Sequence, residues 1–254
     1  MTNSIFLLVI ATSAPEASGA GSALLDRAGE RVRKFWDEMY SVTCVEHIRQ
    51  EKFNDKRRVV LRADAQNDYL LSMRWNAGEL LVDEARTELG PPPKKHPKGS
   101  LLATRGFATL LLVLHPEFQP HYHFSVRPVL DMDRSGLVPV DFVPRAGGKT
   151  PGVLELKGRE YPIAWQGTAW IDSSTGTIAR VEARWKEPPE EIGLARLASD
   201  VRYGPVKLRT QTYWLPQSAH VELETRHQIW KNEHRFDGYR LFSVETETKI
   251  EERK

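Results

Sequence analysis

The segment from Gly167 to Trp185 constrains this chain more than any other. Two alternating runs flank the polar connection Asp172-Ser173-Ser174-Thr175-Gly176, which spells an antiparallel hairpin. On the first arm Ala169 and Ile171 alternate with Trp170. On the second, Ile178, Arg180, Glu182 and Arg184 share one face, and Ala179, Val181, Ala183 and Trp185 the other. Further strand-like runs fill the back half: Tyr122–Val126, Val138–Val143, Val153–Leu156, Ile163–Ile171, Asp200–Leu208, Gln211–Leu215, His220–Ile229 and Tyr239–Thr248. A short Pro-started helical stretch is expected between Glu187 and Ser199.

The front half opens differently. From Ser22 to Tyr40, Leu24, Leu25, Ala28, Val32, Phe35, Trp36, Met39 and Tyr40 recur at three- and four-residue spacing, so an amphipathic helix is predicted. A meander follows, with runs at Val42–Lys52, Arg57–Ala65, Tyr69–Trp75 and Glu79–Arg86. A Pro-rich loop at Gly90–Gly99 interrupts it. The next unit, Ser100–Leu114, is apolar nearly all round, which predicts a buried helix that ends before Pro116. Open sheets of ten or more strands curl or close. A curved antiparallel sheet whose concave face is plugged by helices is the simplest way to bury the Leu110 helix.

A chain of 254 residues can bury a sizeable core without staples. Its apolar fraction of 40% and charged fraction of 28% are those of a globular protein. The net charge of +2 gives no support for a nucleic-acid partner. The short basic runs Lys94-Lys95 and Lys56-Arg57-Arg58 lie beside turn residues and read as solvated loops. The single cysteine, Cys44, excludes an intramolecular disulfide and reads as a small buried hydrophobe. Ile5–Ala11 followed by Ser18-Gly19-Ala20 has the form of a secretory signal, although Met1–Ser4 lacks a basic residue. The expected organisation is therefore a signal peptide at 1–21 and one domain at 22–254, placed in the periplasm.

Catalytic signatures are weak. His121 and His123 are two apart on a predicted strand, but no third metal ligand is announced. Gly147-Gly148-Lys149-Thr150 lacks the first glycine of a phosphate loop and is followed by Pro151-Gly152, so it reads as a turn. Cys44 and His47 sit at odd spacing and face opposite ways. The paired carboxylates Glu222/Glu224 and Glu245/Glu247 read as solvent faces of strands. No catalytic residue, metal or cofactor is expected. Trp165, Trp170, Trp185, Trp214 and Trp230 either line a concave surface or pack the core.

The order of these elements resembles the LolA/LolB-like fold of periplasmic lipoprotein carriers and related envelope-stress sensors. The resemblance rests on the Ala23–Tyr40 helix leading into a meander, the Leu101–Leu114 helix and the Gly167–Val181 hairpin. It rests also on Val201-Arg202-Tyr203-Gly204-Pro205-Val206 and Trp214-Leu215-Pro216. The Pro-rich 90–99 insert and the charged Lys249–Lys254 tail depart from the family. The resemblance implies a mainly β protein with helices (α+β), a half-open antiparallel barrel. It implies a non-enzymatic carrier of a lipid or lipoprotein acyl chain. The cavity would be lined by Phe35, Trp36, Met39, Phe107, Leu110, Leu111, Leu114, Trp170 and Trp185. An envelope protein partner and a peripheral membrane contact belong to the same expectation. The alternative is an envelope interaction or stress-sensing module whose barrel is filled by its own side chains.

Overall fold

The structure is a computed structural model that describes residues 19–39, 41–76, 79–90, 109–128, 136–156 and 158–242. The predicted signal segment up to residue 18, the loop from residue 91 to 99, the 101–108 part of the second helix, Phe107, Glu245 and Glu247 lie outside the described residues.

Helix α1 spans Gly19–Glu38 and buries Leu24, Leu25, Ala28, Val32 and Trp36 along one stripe. It starts three residues before the predicted Ser22, so the 21/22 boundary falls within its first turn. Twelve strands are described: β1 Ser41–Phe53, β2 Val59–Asn76, β3 Glu79–Glu88, β4 Tyr122–Val126, β5 Leu137–Pro144, β6 Gly152–Leu156, β7 Arg159–Ile163, β8 Trp165–Asp172, β9 Ile178–Trp185, β10 Leu194–Leu208, β11 Gln211–Thr225 and β12 Ile229–Leu241. Ten of them form one sheet in the order β3-β2-β1-β12-β11-β10-β9-β8-β5-β4, and β6–β7 is a separate ribbon. All pairings are antiparallel. The large sheet ends on β3 and β4 and does not close. The protein is therefore mainly β, an open half-barrel with a helix packed into it.

The core lies between the inner face of the sheet, α1 and the segment Thr109–Leu114. Leu110 to Leu114 are all buried there, as their all-round apolarity requires, but the segment is a 3-10 helix where an α-helix was expected. Gln119 fixes it to α1 by donating to the carbonyls of Leu114 (2.7 Å) and Leu25 (3.0 Å). Gly29 makes that approach fit: a Cβ there would stand 2.6 Å from Gln119 Nε2 and 3.1 Å from the Leu114 carbonyl oxygen.

Several boundaries differ from the sequence reading. The runs at 57–65 and 69–75 merge into the single 18-residue β2. The runs at 211–215 and 220–229 merge into β11, because Pro216 does not end the strand. Tyr203 opposes Pro216 and Arg202 opposes Ser218, so a register shift lets a residue without an N–H sit in the ladder. The stretch after Glu187 holds only a 3-10 turn, Glu190–Ile192, before β10 begins. Leu197, Ser199, Val201 and Tyr203 are buried alternately, so period two prevails there over the helical reading. The last described strand, Ile229–Leu241, covers residues 230–238, where no strand was expected; of the expected Tyr239–Thr248 run, 243–248 lie outside the described residues.

Cys44 is fully buried in β1, and burial pushes its thiol up to about 12. It should ignore a disulfide reagent in the native protein and react at once in denaturant; prompt labelling of the folded chain would refute the burial.

Candidate functional site

The C-terminal half of α1 brings Val32 and Phe35 to one side, three residues apart. Leu111 from the 3-10 segment, Ile178 from β9, and Tyr213 and Trp214 from β11 meet them around a cavity of about 350 Å³. Ile178 owes its inward position to a bulge. Trp170 pairs with Arg180 and Ile171 with Ile178, so Ala179 is the extra residue, and the strict alternation expected for β9 breaks there. Ile178 thus joins the buried side with Val181, Ala183 and Trp185.

The cavity edge is polar. Arg31, Lys34 and Glu38 project from α1 beside Thr177, Gln211 and Thr212. Lys34 Nζ lies 3.7 Å from Glu38 Oε1, and Arg31 Nε donates to the Thr175 carbonyl at 3.2 Å. Arg27 donates to the Ser173 carbonyl at 2.9 Å, so α1 grips the β8–β9 turn through two arginines. Tyr213 donates to Gln211 Oε1 at 2.6 Å, and burial together with the Glu38 charge raises the pKa of its phenol. The arrangement offers an apolar floor and a mouth with two cations and one acid.

Of the residues expected to line a cavity, Phe35 and Leu111 do so. Trp36, Met39, Leu110, Leu114 and Trp185 are buried in the core behind it. Trp36 meets Phe35 edge-on, with ring centroids 5.5 Å apart. Trp170 is a correction: it stands on the face opposite Ala169 and Ile171, with the Arg180 guanidinium 4.4 Å from its ring centre. Alternation in β8 sends it there, since both its neighbours point inward. Ile178 and Tyr213 were missed, and Trp214 was named only among the aromatics that line a concave surface or pack the core. No local signal marks Ile178, because the bulge that aims it depends on the partner strand.

A second cluster is buried under β1, β2, β3 and β12. Glu46, wholly buried, accepts from Arg86 Nε (2.5 Å) and Nη2 (2.9 Å), from Asn67 Nδ2 (3.2 Å) and from His234 Nδ1 (2.9 Å). Beside it Gln50 donates to Asn232 at 2.8 Å. Burial pushes the Glu46 carboxyl up, but the bonds from His234 and Arg86 outweigh it and hold the group at about 2. Burial lowers the His234 pKa despite the adjacent carboxylate, so a neutral imidazole donates to Glu46. None of these residues lines the cavity.

His121 closes a 3-10 turn ahead of β4, so it does not share a strand with His123 as the sequence predicts. His123 lies 3.3 Å from Arg145 instead. Gly147 occupies a turn after β5, as expected. Among the described residues, no cluster of His, Cys, Asp and Glu has the makings of a metal site, and no helix is long and apolar enough to cross a membrane.

No family model and no curated protein matches the sequence. Among solved structures, an outer membrane lipoprotein-sorting protein domain from Vibrio parahaemolyticus matches with 14% identity and a TM-score of 0.42, covering 88% of this chain and 94% of that one. At that TM-score the likeness has no weight for function.

Proposed function

We propose that this protein is a non-enzymatic carrier that holds one acyl chain, of a lipid or a lipoprotein, in the cavity between α1 and the ends of β9 and β11. The observation that supports this most is the apolar floor of Val32, Phe35, Leu111, Ile178 and Trp214 under a cationic edge of Arg31 and Lys34. Its volume falls in the range of small-ligand pockets, roughly 300–1,000 Å³. What such a site supplies is burial, worth about 0.8 kcal/mol per methylene removed from water. The periplasm is the proposed compartment, with the leader removed at the 21/22 boundary. That cut would cost α1 its first three residues, of which Gly19 and Ala20 are exposed and Gly21 is buried.

A series of fatty acids tests the reading, with quenching of tryptophan fluorescence by brominated analogues as the signal. Affinity is expected to rise about fourfold per added methylene, then level off once the cavity is filled. Trp214→Phe should remove much of the quenching, and Phe35→Asp should weaken binding by more than tenfold. A protein that takes up no acyl probe, and carries no acyl species when extracted, would overturn the proposal and leave the interaction-module alternative.

A further inference from the structure

The turn joining β1 to β2 has a rigid frame. Asn54 Oδ1 accepts from the backbone N–H groups of Lys56 and Arg58, each at 3.0 Å. Asn54 N also donates to the Arg58 carbonyl at 3.0 Å, and Arg57 N to the Asn54 carbonyl at 2.9 Å. This frame holds Lys56, Arg57 and Arg58 in solvent, with Asp55 as the turn's acid. The next two residues are Val59, 44% exposed, and Val60, 56% exposed. Consecutive strand residues point to opposite faces. Exposure of both means that neither face of the ribbon is covered here, so the tip projects beyond the core.

The β11–β12 turn stands alongside, because Ile229 at the start of β12 pairs with Phe53 at the end of β1. It adds the exposed Arg226. Nearby cations are engaged: Arg62 pairs with Glu51, and Lys231 with Glu222. No ion pair with a described residue engages Lys56, Arg57, Arg58 or Arg226.

We propose that this tip docks on an anionic phospholipid surface, with the cations on the headgroup phosphates and the two valines in the interfacial layer. Adjacent unpaired cations and exposed apolar side chains match the two layers that a bilayer presents. A nucleic acid would use the cations and leave the valines without a role. The cavity wall at Gln211–Trp214 begins β11, and Arg226 follows its end. A 15-residue strand spans roughly 45–50 Å, so a docked tip leaves the cavity mouth far from the contact. The proposal stands independently of the acyl reading.

Flotation of the full chain with vesicles tests it. Binding is expected to vesicles of equal parts phosphatidylglycerol and phosphatidylcholine, weakening with salt, and not to phosphatidylcholine alone. Lys56→Gln/Arg58→Gln should bind about 30-fold more weakly, at roughly fivefold per cation; Arg57, with φ 55°, is left intact to preserve the turn. Val59→Ser/Val60→Ser should lose about tenfold, and Arg226→Gln, on the other turn, about fivefold. All three should retain the parent melting temperature and acyl-probe response. Equal binding to neutral vesicles, wild-type binding by the folded variants, no flotation of the parent protein, or equally tight binding to duplex DNA would each overturn the proposal.

Discussion

Replacing Glu46 with alanine is expected to lower the stability of the fold by about 3–5 kcal/mol, read as a shift in the urea midpoint at unchanged slope. The substitution removes a carboxylate that accepts from Arg86, His234 and Asn67. The part-buried Arg86 guanidinium, 4.7 Å from the centre of the Tyr69 ring, loses its bidentate partner and keeps only the longer pair with Glu84 at 3.9 Å among the described residues. The loss comes mainly from a half-buried charge left with its weaker partner, so Glu46→Leu/Arg86→Met should cost less than Glu46→Ala alone. A double variant as unstable as the single one would show that the cluster acts otherwise.

The same cluster sets the acid limit. The folded Glu46 titrates at about 2 against an ordinary 4.5, so its contribution is complete above about pH 4.5 and is lost as pH falls toward 2. His234 is depressed below its ordinary 6.5, so the unfolded chain binds its proton first, and stability declines as pH drops from about 6.5 through the lowered value. Both act in one direction. Stability measured against pH should fall below about 6.5 and steepen below about 4.5, and Glu46→Ala should flatten the lower limb.

Gly167→Ala is expected to cost about 3 kcal/mol, lowering the melting temperature by roughly 6–12 °C. Gly167 lies in β8 between Ala183 of β9 and Phe142 of β5. A methyl there would stand 2.7 Å from Ala183 Cα and 2.8 Å from the Glu182 carbonyl carbon. Those are backbone atoms of a paired strand, so relief requires β8 and β9 to separate. A variant that melts with the parent protein would mean that these strands do not hold this register.

How much of this was readable from residues alone depended on whether the inward face was apolar. Helix α1 and the β8–β9 hairpin were legible, because Leu24, Val32 and Trp36, or Ala169 and Ile171, keep one period without interruption. Most of strand β12 was missed because its inward residues are Trp230, Asn232, His234 and Phe236. Two of the four are polar, and they are tolerated only because partners distant in sequence satisfy them: Gln50 for Asn232 and Glu46 for His234. Glu46 sits in the run Val42, Cys44, Glu46, Ile48, and an acid on an apolar face was the one visible sign of the cluster. In the cavity, Phe35 was legible from helical spacing. Ile178 was not, since a bulge exists only in the pairing of two strands. Trp170 shows the opposite error: aromatic content suggested a ligand wall, while simple alternation already sent it outward.

The β1–β12 seam joins residues 41–53 to residues 229–241. The strand laid down first during synthesis therefore keeps one flank bare until nearly the whole polypeptide has left the ribosome. Contacts this remote in sequence form late and slowly, and an uncovered strand flank invites unwanted partners. Yet the delay also keeps the chain from locking prematurely. Pairing along this flank of β1 therefore waits for the far end of the polypeptide.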